Sequence, residues 1–159
     1  MVGTKSVEIR VAIMMKIIVD TNIVFSALLN SNSRIGSLLL DSREMFQFYS
    51  CKYLQKEIHC HRDKIRHHSG LNNDDLSELI ALIESRIFFL EEELLPTTVI
   101  AEAKEWVKDV DFDDFAFVAI TNHLDAWLWT GDKKLIAGLR QKGYHRIIST
   151  ADLCDMQLA

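Results

Sequence analysis

The stretch Met15-Lys16-Ile17-Ile18-Val19-Asp20-Thr21-Asn22-Ile23-Val24-Phe25-Ser26-Ala27-Leu28-Leu29 decides the fold. Ile17 to Val19 is a β-branched run, the pattern of a parallel strand buried on both faces. It stops at Asp20-Thr21-Asn22, and helical spacing takes over from Ile23 to Leu29. A carboxylate directly behind a buried strand is costly unless something answers its charge. Asp20 is therefore both a structural marker and the first candidate functional residue.

The same alternation recurs outward from this stretch. Phe46 to Cys51, Ile87 to Leu90, Ala126 to Trp129 and Ile147-Ile148 read as further strands. Between them, Ile35, Leu38 and Leu39 suggest a short helix, and Tyr53 to about Arg66 a longer one. Asn73-Asp74-Asp75 opens a helix carrying Leu76, Leu79, Ile80 and Ile83. Thr97 or Thr98 caps another through Trp106 and Val107. Asp111 or Asp113 opens the helix of Phe117, Val118 and Ile120, and Gly131-Asp132 turns into that of Leu135, Ile136 and Leu139. A small helix ends the chain. Strands alternating with helices predict an α/β fold: a three-layer α/β/α arrangement around a central parallel sheet of about five strands.

Length and composition agree. The chain has 159 residues, 48% of them hydrophobic, which suits one domain with a full core. Six glycines and one proline argue against disorder and against a turn-rich all-β fold. Met14-Met15 before Lys16 looks like a second natural start. Residues 1–14 are thus expected to be an N-terminal extension, 15–150 the body, and 151–159 a C-terminal helix or tail. Cys51, Cys60 and Cys154 are odd in number and lack C-x-x-C spacing. Reduced thiols and a cytoplasmic location are expected. No apolar run approaches the roughly 20 residues of a membrane helix. The formal net charge of −5 speaks at first against a nucleic-acid partner.

The placement of the carboxylates changes that reading. In open parallel sheets, ligands bind beyond the carboxyl ends of the strands. Asp20 and Asp132 each follow a strand, Asp111 and Asp114 share the first turn of a helix, and Glu57 lies early in the helix after Cys51. Each has a plainer reading as a helix cap or a solvated side chain. Together they form a set that repels itself unless a hard cation intervenes. Oxygen ligands with no histidine or cysteine among them favour Mg2+ or Mn2+ over zinc. Two such ions would suit phosphodiester hydrolysis and would offset most of the negative charge.

Met15 to Leu29 resembles the opening of a PIN-domain nuclease. Ser50 through Glu57-Ile58 looks like the family's second station. Asp111-Phe112-Asp113-Asp114-Phe115-Ala116-Phe117-Val118-Ala119-Ile120 is similar to the third, and Thr130-Gly131-Asp132-Lys133-Lys134-Leu135 to the fourth. The resemblance covers about residues 15–150. It implies a PIN-like metal-dependent ribonuclease, in many relatives the toxin of a bacterial toxin–antitoxin pair, silenced by an antitoxin protein. By position, Asp20, Glu57, Asp114 and Asp132 match the catalytic acidic set, with Asp111 a further metal ligand. Thr121 departs from the small residue common in relatives, and the N-terminal extension lies outside the pattern.

The expected chemistry is water attack on an RNA phosphodiester, supported by Mg2+ or Mn2+. Asn22 and Thr130 are candidates to orient the carboxylates. Arg62, Lys64, Arg66 and Lys133 are candidates to contact RNA phosphates, against a plain solvated role. Glu91-Glu92-Glu93 reads as a solvated turn. A homodimer is expected from the family and from the surplus of apolar helices. An aspartyl-nucleophile phosphatase would need Asp at position 22, which is Asn. A non-catalytic PIN-like scaffold that binds RNA or protein would fit the same residues. A structure-specific DNA nuclease would normally carry further elements that a chain of this length lacks.

Overall fold

The computed structural model describes residues 14–158. The expected N-terminal extension lies, but for Met14, outside them. Five strands form: β1 (Met15–Val19), β2 (Phe46–Cys51), β3 (Ile87–Leu90), β4 (Trp127–Trp129) and β5 (Ile147–Ile148). All pair in parallel, in the order β3-β2-β1-β4-β5. β1 is therefore central, which is why Ile17, Ile18 and Val19 are fully buried. The run without alternation is what a strand covered on both faces requires.

Nine α-helices flank the sheet among the described residues. They are α1 (Thr21–Leu29), α2 (Arg34–Asp41), α3 (Lys52–Cys60), α4 (Arg62–Ser69), α5 (Asn73–Ser85), α6 (Thr97–Val107), α7 (Phe115–His123), α8 (Lys133–Gln141) and α9 (Thr150–Leu158). In one outer layer, α6 packs on α7 and α8, and α7 lies on β1, β2 and β4. In the other, α1 packs on α2, α4 and α5, and α9 closes against α2. The result is the expected three-layer α/β/α fold. Trp129 stacks near Phe48, with ring centroids 5.9 Å apart, and its indole N–H donates to Thr150 Oγ1 at 3.0 Å. That bond ties the last helix to the sheet. Truncating any fully buried aliphatic side chain of β1 to alanine would cost about 2–5 kcal/mol.

Two expectations about helices need correction. The span from Tyr53 to Arg66 is two helices rather than one. The chain bends at His61, whose ψ of 16° departs from the helical value of about −42°. Helical bonds still bridge the bend, from His61 N–H to Glu57 and from Ile65 N–H to His61. Neither Thr97 nor Thr98 caps α6; Pro96 precedes it with no side-chain bond. α5 opens at Asn73 as expected, with Asn72 as its cap, whose side chain accepts the Asp75 N–H at 2.8 Å. Cys51, Cys60 and Cys154 are free thiols. No single described helix is long and apolar enough to cross a membrane.

Candidate functional site

The strand order sets where a site can form. From β1 the chain winds outward to β2 and β3 on one side, while β4 and β5 extend the sheet on the other. The connections leaving β1 and β4 therefore diverge and open a crevice at their carboxyl ends. Asp20 and Asp132 stand at those two ends.

Local bonding holds both in place. Asp20 caps α1 and accepts the Ile23 N–H at 3.0 Å, while its own N–H donates to Trp129 O at 3.3 Å. Asp132 caps α8 and accepts from Lys134 and Leu135 at 3.0 and 3.1 Å. Thr130, buried between them, joins the two. Its hydroxyl accepts the Asp132 N–H at 3.1 Å, and it stands beside the Asp20 carboxylate. Asp111 accepts the Asp113 N–H at 3.2 Å and starts the 3-10 turn Phe112–Asp114, which leads into α7. The cap reading and the metal reading are compatible. Each of these amide bonds ends on Oδ1, so none occupies the second carboxylate oxygen.

The turn brings the third acidic station into the crevice. Asp111, Asp114 and Asp132 offer carboxylate oxygens that all lie within 4.8 Å of one another. Asp20 stands beside this group and is only 4% exposed. Burial pushes the Asp20 carboxyl up to about 6, against the lowering effect of its Thr130 and Ile23 bonds, and the Asp132 charge adds to the rise. Asp114 is pushed up to about 7, first by burial and then by Asp111, Asp20, Asp132 and Asp113. These are carboxylates held where their charges oppose one another. A hard divalent cation fits the set, because it needs oxygen donors and cancels the repulsion.

An open cleft of about 500 Å³ surrounds the group. Asp20, Glu57, Asp111, Asp114 and Asp132 all line it, as does exposed Asn22. Glu57 sits on the second turn of α3, one turn from Tyr53, whose hydroxyl pKa its carboxylate raises. Glu57 and Asp20 share the cleft but fall outside the tight three-oxygen group. Asp113, Glu92 and Glu93 line the cleft as well, which brings its carboxylates among the described residues to eight, with no Lys, Arg or His among them. Reading Glu91-Glu92-Glu93 as a plain solvated turn therefore needs correction. Glu91 pairs with Lys52 at 2.6 Å, but the turn follows β3 and points two of its carboxylates inward. The rule that ligands gather beyond strand ends would have found it.

The expected RNA contacts diverge. Lys133 is exposed next to Asp132. Arg62 is engaged within the fold, donating to Asn73 O at 2.9 Å and Ser77 Oγ at 2.7 Å. Lys64 and Arg66 are exposed on α4.

The family model of the PIN domain matches residues 18–152. The chain belongs to the PIN-domain family. PIN domains are generally nucleases that use divalent metal ions. An uncharacterized protein of Methanocaldococcus jannaschii is 30% identical over 138 residues, 85% of this chain and 82% of that protein. No solved structure matches.

Proposed function

We propose that this PIN domain is a metal-dependent endoribonuclease that hydrolyses RNA phosphodiester bonds. The observation that carries the reading is the group of Asp111, Asp114 and Asp132 oxygens at the strand-order switch, with buried Asp20 beside it. Asp20, Asp114, Asp132 and Asp111 would hold Mg2+ or Mn2+, with Glu57 facing them across the cleft. When bound, the ion supplies Lewis-acid activation of water and phosphate at neutral pH. Thr130 holds the Asp132 backbone beside the Asp20 carboxylate. Asn22, at the cleft mouth, is placed to bond a carboxylate or the substrate. Lys133 is placed to meet phosphate.

The resemblance further supports a toxin role, in which an antitoxin protein covers the cleft and the enzyme works as a homodimer. The test of the catalytic reading is cleavage of a mixed RNA panel, with a DNA arm, in Mn2+ and in chelator. Asp20→Asn, checked for fold by circular dichroism, should lose on the order of a thousandfold in rate. Undiminished cleavage by that variant, or cleavage that survives chelation, would overturn it.

A further inference from the structure

Two stripes of side chains leave the acidic cleft together. On α1, Asn22, Phe25 and Leu29 follow one another at i, i+3 and i+7, opposite the buried face of Ile23, Val24, Ala27 and Leu28. On α3 and α4, Tyr53, Glu57, His61, Lys64 and His68 do the same across the bend at His61. Asn22, Tyr53 and Glu57 line the cleft. The later members of both stripes line a second open groove of about 260 Å³, floored by Ile65. Since i, i+3 and i+4 positions are neighbours on a helix surface, the groove begins one turn beyond the cleft on both walls.

The groove's chemistry inverts that of the cleft. Phe25, Leu29 and Ile65 make it apolar, Lys64, His61 and His68 edge it, and no carboxylate lines it. Phe25 meets the His61 ring edge-on, with centroids 6.2 Å apart. Leu29, a large apolar side chain, is 44% exposed. Among the described residues no carboxylate pairs with Lys64, His61 or His68. Exposed Leu29 and half-buried Phe25 thus stand beside Lys64, a lysine that no described carboxylate pairs, which gives the groove an apolar wall and a charged edge.

We propose that this groove holds the nucleotide next to the scissile phosphate of a single-stranded RNA. The base lies against Phe25 and Leu29, and its phosphate faces Lys64 with His61 and His68. Continuity with the cleft and charge complementarity both favour this occupant. A cleft with eight carboxylates repels phosphate, so an RNA strand needs cations immediately outside it. Single strands are held by stacking on aromatic and imidazole rings together with phosphate contacts. The proposal rests on the nuclease reading for its choice of ligand.

The experiment measures binding of a short fluorescein-labelled single-stranded RNA by anisotropy, beside Mn2+ binding by calorimetry and RNA cleavage. Phe25→Ala should weaken RNA binding about tenfold, and Lys64→Gln should weaken it and lower the salt slope by about one. Both should bind Mn2+ like the parent protein. Lys16→Gln, at the opposite end of the sheet, should change nothing. Phe25 packs partly against the core, so Lys64→Gln serves if Phe25→Ala folds poorly. Weakened RNA binding without cleavage in any metal would uphold the groove and defeat the nuclease reading. Cleavage and binding left unchanged by both variants would overturn the groove alone. No RNA binding by the parent protein would also overturn it.

Discussion

In the cleft, eight carboxylates face one another and no cation lines the wall. One helical turn along the same two walls, the groove has three basic or imidazole side chains and no carboxylate. The two regions share α1 and the α3–α4 pair, so backbone placement does not separate them. What differs is the charge written along each helix. A net charge of −5 averages over this division and hides it. An acidic protein can therefore carry a flank free of carboxylates, suited to the phosphate contact proposed above, because the surplus carboxylates are gathered elsewhere.

The strongest way to break the comparison is to remove the cation and raise the pH. Asp20 and Asp114 hold their protons up to about 6 and 7 in the folded chain, against 3.8 ordinarily. The folded state then binds more protons than the unfolded one between those values, so stability falls as pH rises through that window. For buried Asp20 the loss is about 3 kcal/mol, complete above its folded pKa. In chelator, melting temperature should drop from pH 4 to pH 7 and then level. Saturating Mn2+ should flatten the curve, and chelated Asp20→Asn should show a smaller fall than the parent. A parent curve as flat in chelator as in Mn2+ would remove the premise that these charges oppose one another.

A second change sharpens the comparison by loosening the cleft without touching its charge. Thr130→Val removes the hydroxyl that accepts the Asp132 N–H beside Asp20. It should cost about 1–2 kcal/mol in denaturant unfolding and about tenfold in Mn2+ affinity. RNA binding at the groove should stay near the parent value. The smallest effect concerns the turn after β3. Glu92 lines the cleft, and its Oε2 is buried without a hydrogen-bond partner. Glu92→Gln should lower Mn2+ affinity by about threefold, one step of roughly 0.6 kcal/mol. Calorimetry that finds no change would leave Glu92 a wall residue only.

Much of this molecule is legible in its sequence because parallel strands buried on both faces leave an unambiguous mark. Ile17 to Val19, Phe46 to Cys51 and Ile147-Ile148 need no tertiary knowledge to be read as strands. Asp20 is equally legible, since a carboxylate behind such a run has few innocent explanations. The bend at His61 is not, because no Gly or Pro signals it and Ile58 and Ile65 keep a spacing that suits one unbroken helix. The contact beside it, with Phe25, joins residues far apart in sequence. Glu92 and Glu93 escape notice for a related reason. A run of glutamates is ordinary on a surface, and only the sheet order shows that this one turns toward the carboxyl end of β1. Arg62 reads as a free cation until α5 supplies the partners that occupy it.

The pairing of β1 with β4 has a consequence for synthesis on the ribosome. Asp20 emerges early and Asp132 late, and β4 can dock only after the intervening helices have left the exit tunnel. Joining such distant segments is slow, because loop closure must be met before the contacts reward it. A growing chain that stops before Trp127 has neither Thr130 nor Asp132, so it cannot assemble the acidic group at all. Under the proposed function, such incomplete products would be unable to cut RNA.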